Sequence, residues 1–283
     1  MKSIMRIKFW GVRGSIPSPS PATVLYGGNT SCVSIHTGAK KILVLDAGTG
    51  IRELGKFLKG GEEEIFLLLS HRHWDHIQGF PFFWPIYESD RKVNILSNER
   101  GKNMILSLVN QMDGAHFPVE PQELHSIYQC IDEDVSTFLS HYGFTVSRIA
   151  TNHPGGGYGY RIQKDGHSVI YLTDNELDPP YDKATEFQGF VRFCKNADLL
   201  IHDAQYLKKD MPQKHGWGHS LVSQVLELAA EAEVKHLVLT HHDPDRTDKE
   251  IDTIQKDARS WFKKKKLNIK CTAAYEGLAI NIY

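Results

Sequence analysis

The run Ser70-His-Arg-His-Trp-Asp-His gathers His71, His73, Asp75 and His76 within six residues. Neutral imidazole and carboxylate are ligands for zinc, manganese or iron. Residues two apart in an extended segment point the same way, so His71 and His73 can hold one ion. Asp75 and His76, past the bend, can face a second. The chain has 15 histidines. At that content the pattern arises by chance with a frequency of roughly a few in a thousand, so a histidine-rich surface loop is the weaker reading.

Further polar residues close apolar runs. Asp46 follows Ile-Leu-Val-Leu, Asp174 follows Val-Ile-Tyr-Leu-Thr, and Asp203 and His241 end Leu-Leu-Ile-His and Leu-Val-Leu-Thr. Strand ends on one rim of a sheet are where side chains from distant sequence converge. The strands implied are Ile4–Trp10, Ser31–His36, Lys41–Leu45, Glu64–Leu69, Val93–Leu96, Phe144–Ile149, Tyr158–Gln163, Ser168–Leu172, Leu199–His202, His236–Thr240 and Ala279–Tyr283. Helical patterns fall at Ile51–Leu58, Lys102–Met112, Lys183–Cys194, Leu221–Glu231 and Glu250–Phe262. Strands pair sequentially early and alternate with helices later. This α/β (α+β) mixture fits two packed sheets with helices on their outer faces, rather than a doubly wound parallel sheet.

Composition narrows the partners. The 283 residues are 41% apolar, enough for a sizeable core, and no linker or repeat divides them. With 33 Lys+Arg against 34 Asp+Glu, the net charge is -1. A grip on long nucleic acid would need a basic excess, so a small anionic substrate is expected. Cys32, Cys130, Cys194 and Cys271 are far apart, which suggests free thiols in a reducing compartment. The start Met-Lys-Ser-Ile-Met-Arg has no apolar leader and no segment has the length of a membrane span, so a cytoplasmic location is expected.

The His71–His76 run resembles the signature of the metallo-β-lactamase fold superfamily, and the likeness covers nearly the whole chain. It is closest to the ribonuclease Z and cyclic-nucleotide phosphodiesterase branch, through Gly11-Val-Arg-Gly-Ser-Ile-Pro, Gly28-Asn-Thr-Ser, Asp46-Ala-Gly-Thr-Gly and Gly159-Tyr-Arg-Ile. The resemblance implies a four-layer αββα sandwich, a single domain over residues 1–283 with an insertion at about 80–147, and two divalent metals, zinc first and manganese or iron as alternatives. It adds His153 to His71 and His73 on one ion, Asp174 as the bridge, and His241 with Asp75 and His76 on the other. Asp75 counts among the catalytic residues as well. Adjacent strand residues face opposite ways, so His241 and His242 do not both serve one ion; spacing leaves either as the ligand, and the family pattern favours His241. Asp46 is either an orienting carboxylate behind a ligand or a strand-ending turn.

Two ions about 3.5–4 Å apart generate a bridging hydroxide and clamp the attacked group, whether phosphodiester or carbonyl. Ile201-His-Asp-Ala and Gly218-His-Ser narrow the choice, since they resemble the His-Glu-Ala-Thr and Gly-His-Ser-Thr elements of the branch, with Asp203 where the pattern has glutamate. The resemblance makes His219 the general acid for the leaving alkoxide and Asp203 its carboxylate partner. The bland alternative is that Ser220 caps a helix after a Gly-His-Ser turn. His202 faces away from Asp203, His215 has no firm role, and His125, His141 and His167 are surface residues in this reading.

Ribonuclease Z carries a transfer-RNA-gripping arm between its third and fourth metal motifs. Here those sit at His153 and Asp174, 174 − 153 = 21 positions apart, and one hairpin consumes the span. The expected reaction is therefore hydrolysis of a small phosphodiester, above all a 3′,5′-cyclic nucleotide, by a homodimer. A ribonuclease Z-like nuclease is the second reading. A thioester, lactone or lactam hydrolase is the third, and it needs no Asp203–His219 pair. The aromatics of Phe80-Pro-Phe-Phe-Trp-Pro-Ile-Tyr belong to a core or interface more often than to a base-stacking surface.

Overall fold

The computed structural model describes residues 5–38, 40–96, 107–124, 127–131 and 134–283. Residues 102–106 of the helix expected over Lys102–Met112, and the surface position expected for His125, lie outside them. The chain divides into two compact units.

The first unit comprises Met1–Pro17, Asn29–Tyr142 and Tyr275–Tyr283. Its strands are β1 (Met5–Gly11), β2 (Cys32–His36), β3 (Lys41–Leu45), β4 (Glu64–Leu68), β5 (Lys92–Leu96), β6 (Ile127–Ile131) and β13 (Ala279–Ile282). They form one sheet in the order β13-β1-β2-β3-β4-β5-β6. β13, β1, β2 and β3 pair antiparallel, whereas β3 to β6 run parallel. The change of sense follows from the connections. Only residues 37–40 separate β2 from β3, while helix α1 (Ile51–Leu58) carries the chain from β3 back to the same end for β4. Ile51, Leu54 and Leu58 on α1 pack with Phe80, Phe83 and Ile86 over Val44, Leu67 and Ile95 of the sheet. The aromatic run is thus mainly core, as expected, but Phe82 and Trp84 point outward.

The second unit comprises Ser18–Gly28 and Gly143–Ala274. β7 (Thr145–Ala150), β8 (Tyr158–Lys164), β9 (His167–Leu172), β10 (Leu199–Asp203), β11 (His236–Thr240) and β12 (Lys270–Ala273) form a sheet in the order β12-β11-β10-β9-β8-β7. β8 and β9 make the hairpin anticipated in the His153–Asp174 span. Asp165 and Gly166 turn it with positive φ, the pair of conformations a two-residue primed turn requires. Helices α4 (Phe187–Cys194), α5 (Val222–Glu231) and α6 (Asp248–Lys264) alternate with β9 to β12, so those four strands run parallel. Phe190, Val225, Leu228 and Phe262 from these helices cover Ile170, Leu200 and Leu237. The first unit also holds two short helices, α2 (Trp74–Ile77) and α3 (Val135–Ser140). No helix among the described residues is long and apolar enough to cross a membrane.

Several boundaries differ from expectation for identifiable reasons. α4 starts at Phe187 rather than Lys183, because Thr185 is held out of the helix by bonds from its N–H to Asn152 Oδ1 and from its hydroxyl to the Ala150 carbonyl. α6 starts earlier, at a reciprocal cap: Thr247 Oγ1 accepts from Glu250 N, and the Glu250 carboxylate accepts from Thr247 N. That backbone N–H, aided by Lys209, holds Glu250 at about 2. Its contribution is therefore complete above the unfolded value near 4.5 and fades as pH falls toward 2. Thr247→Ala is expected to cost about 1 kcal/mol in urea unfolding at neutral pH.

Candidate metal centre

In the first unit, β4 delivers Ser70, and His71 to His73 continue extended until α2 reverses the chain. The reversal brings the His71 ring to 4.6 Å from His73 and 4.3 Å from His76. Asp75 Oδ2 lies 3.2 Å from His76 Nε2 and accepts from the Ser15 backbone N–H at 2.8 Å. The Gly11–Pro17 motif therefore reaches the ligand run through a backbone donor.

Asp46 sits beneath this run, fully buried and at φ 62. Its carboxylate accepts from Ser70 N at 2.7 Å, Ser70 Oγ at 2.8 Å and His76 Nδ1 at 2.8 Å. Because the Ser70 hydroxyl is spent on Asp46, its oxygen accepts from His71 Nδ1, 3.1 Å away. Of the two readings offered for Asp46, the orienting carboxylate matches this geometry. The following Gly48 lets the loop lie against the ligand run: a Cβ there would stand 2.2 Å from the Asp75 carbonyl.

In the second unit, His153, Asp174 and His241 follow β7, β9 and β11. Asp174 and His241 take left-handed backbone angles, φ 47 and 58, which turn the side chains off the strand ends. The two Asp174 oxygens diverge: Oδ1 lies 3.1 Å from His241 Nε2 and Oδ2 lies 3.6 Å from His153 Nε2. His242 points elsewhere, its Nε2 2.9 Å from the Ala274 carbonyl. The choice of His241 over its neighbour thus has a geometric basis.

The donor set suits divalent metal. His153 Nδ1 donates to the Gly218 carbonyl at 2.9 Å and His241 Nδ1 to Gln205 Oε1 at 2.8 Å. Together with His71 and His76, four imidazoles have Nδ1 committed to a protein acceptor, which directs the Nε2 lone pair toward a cation. Ligand atoms of His71 and His73, of Asp75 and His76, of His153 and Asp174, and of Asp174 and His241 lie within 4.8 Å of each other in each case.

Beside His241, the ring of His219 is stacked at 5.0 Å, and its Nδ1 donates to Asp203 Oδ2 at 2.9 Å. Asp203 is fully buried and also accepts from Gln205 N at 2.9 Å, so one carboxylate positions both His219 and the residue that holds His241. Ser220 does not cap α5, contrary to the bland alternative. Leu221 occupies the cap position, and the Ser220 hydroxyl donates to the Asn175 carbonyl. His202 is core: its Nδ1 donates to the Asp203 carbonyl, and burial lowers its pKa. His215 bonds the Asp178 carbonyl, His141 is exposed, and His167 lies partly exposed near Asp198. Cys32, Cys194 and Cys271 are free and buried.

Residues without a spacing signal complete the site. Glu176, 2% exposed, accepts from Gly216 N and Gly218 N, both at 2.9 Å. It thereby clasps the loop that carries His219 and whose Gly218 carbonyl orients His153. Gly218 stands at φ 89, and a Cβ there would lie 2.1 Å from His153 Nδ1. Gly218→Ala is expected to cost at least about 1–2 kcal/mol from backbone conformation alone. It should also displace His153, which metal analysis of the purified variant would register as reduced ion content.

A buried carboxylate–histidine scaffold with Nε2 atoms presented at strand ends defines a metal-dependent hydrolase. Residues 42–242 match the family model for the beta-lactamase superfamily domain, and the chain belongs to that superfamily. A ribonuclease Z from Streptococcus suis is 38% identical over 242 residues, covering 69% of this chain and 77% of that protein. Among solved structures, the metallo-beta-lactamase fold protein YhfI from Bacillus subtilis superposes with TM-score 0.69 at 20% identity, covering 99% of this chain and 100% of its own. Unliganded yeast PDE1 gives TM-score 0.67 at 14% identity, covering 99% and 100%. The metallo-β-lactamase fold expected from the His71–His76 run is thereby established.

Proposed function

We propose that the protein hydrolyses a small phosphodiester, in the first place a 3′,5′-cyclic nucleotide, to a nucleotide monophosphate. By resemblance, His71, His73, Asp75, His76, His153, Asp174 and His241 would hold two divalent ions. Zinc, manganese and iron all suit His and Asp ligands. Bound ions supply Lewis acidity toward the phosphoryl oxygens and acidify water. The other tasks fall to the protein.

The observation that carries this reading is the 2.9 Å bond from His219 Nδ1 to Asp203. A carboxylate only accepts, so the ring presents Nε2 as the atom that holds and delivers a proton. Asp203 fixes the ring's orientation and stabilises its charge while it is protonated. A ribose alkoxide is a poor leaving group and needs that proton, whereas a thiolate does not. The hairpin of β8 and β9 fills the His153–Asp174 span, which favours a small substrate over transfer RNA. By resemblance the enzyme is a cytoplasmic homodimer.

The test is to offer metal-loaded protein cyclic AMP, cyclic GMP, cyclic CMP, cyclic UMP, a precursor transfer RNA and a thioester. Turnover of a cyclic nucleotide to its monophosphate is expected. Cleavage of the precursor RNA alone would favour the nuclease, and turnover of the thioester alone would sink the phosphodiesterase.

A further inference from the structure

Within the first unit, next to the ligand run, lies a cavity of about 540 Å³ bounded among others by Arg72, Trp74, Gln78, Phe82, Asn110 and Phe117. Arg72 and Trp74 alternate with His71, His73 and Asp75, so one end of the cavity is built from the same six-residue run as the ligands. The volume falls in the range of about 300–1,000 Å³ usual for small-molecule sites.

Its walls are unusually aromatic for a solvent-facing surface. Trp74 is 77% exposed and Phe82 54%. Phe117 meets Phe82 edge to face at 5.4 Å, which holds the two rings in fixed orientation. Gln111 spends its amide nitrogen on the Ile77 and Leu108 carbonyls, tying the segment around residue 110 to the end of α2. Asp113 also borders the cavity, but its carboxylate already accepts from Ala115 N, His116 N and His116 Nδ1. The Arg72 guanidinium, by contrast, is exposed with no hydrogen bond or ion pair among the described residues.

Flat aromatic faces, side-chain amides and a free guanidinium together match one ligand chemistry. We infer that this cavity is the nucleoside subsite of the substrate. A nucleobase stacks on Trp74 with Phe82 and Phe117 as the facing wall, Gln78 and Asn110 meet its edge, and the Arg72 guanidinium, on the side of the run opposite His71 and His73, lies against the base. The inference rests on the phosphodiesterase reading for the identity of the bound molecule, but its test does not depend on turnover.

Binding of adenosine 5′-monophosphate, cytidine 5′-monophosphate and ribose 5-phosphate to the full-length, metal-loaded chain would be measured by calorimetry. Base stacking makes Trp74→Ala weaken both nucleotides by about ten- to a hundredfold while leaving ribose 5-phosphate unchanged. Trp74→Phe should restore much of the loss, and Arg72→Ala should weaken the two nucleotides but not ribose 5-phosphate. Equal losses for nucleotides and ribose 5-phosphate on Trp74→Ala, or no change in either, would overturn the subsite. So would a shift from dimer to monomer in sedimentation with nucleotide affinity intact, since the face would then be a subunit interface. Loss of base-dependent binding in a protein that hydrolyses no phosphodiester would leave the subsite standing and remove the reaction instead.

Discussion

His219→Ala is expected to slow hydrolysis of a natural cyclic nucleotide by about 10²–10⁴-fold, while barely changing the rate on a nitrophenyl phosphodiester. The two substrates differ in the leaving group. A ribose 3′-oxygen departs as a strongly basic alkoxide unless protonated, whereas nitrophenolate departs unaided. His219 is buried, is stacked on His241, and has its Nδ1 committed to Asp203, so only Nε2 is left to deliver a proton. A residue that merely shaped the loop would slow both substrates alike. Asp203→Asn should show the same split, together with a changed pH profile on the cyclic nucleotide, because an amide can present a donor where the ring needs an acceptor. Equal losses on both substrates would remove His219 from the acid role.

The second large effect is expected at Asp174. Its two oxygens face different histidines, Oδ1 toward His241 and Oδ2 toward His153. Asp174→Ala removes the proposed shared ligand, so turnover should fall to background on every substrate, including the nitrophenyl ester that His219→Ala spares. Metal content should fall in the same preparation. A variant that kept both full metal content and activity would show that Asp174 is only a strand-ending turn residue at φ 47. The contrast with His219→Ala separates holding the ions from delivering the proton.

Much of this site was readable in the chain because strand-end carboxylates and histidines follow apolar runs that can hardly be anything but strands. Asp46, Asp174, Asp203 and His241 all belong to that class. Spacing also placed His71 to His76, but not the one-turn helix α2 that makes them converge, since four residues carry no helical period. β12 escaped notice for a related reason: Lys-Cys-Thr-Ala is short and weakly apolar, and its strand identity comes from pairing with β11. Glu176 and Gln205 were invisible because their work is done on groups remote in sequence, backbone N–H groups 40 and 42 positions away and an imidazole 36 positions away. Gly218 is the instructive case. The Gly-His-Ser element drew attention to His219, yet the glycine is fixed by its own contact, a missing Cβ that leaves room for His153.

The most direct test of a two-ion phosphodiesterase is to titrate metal-stripped protein with zinc or manganese while following cyclic-nucleotide hydrolysis. Activity should rise until two ions per chain are bound and remain sensitive to chelator throughout. Full activity at one ion per chain, or activity indifferent to chelation, would contradict it.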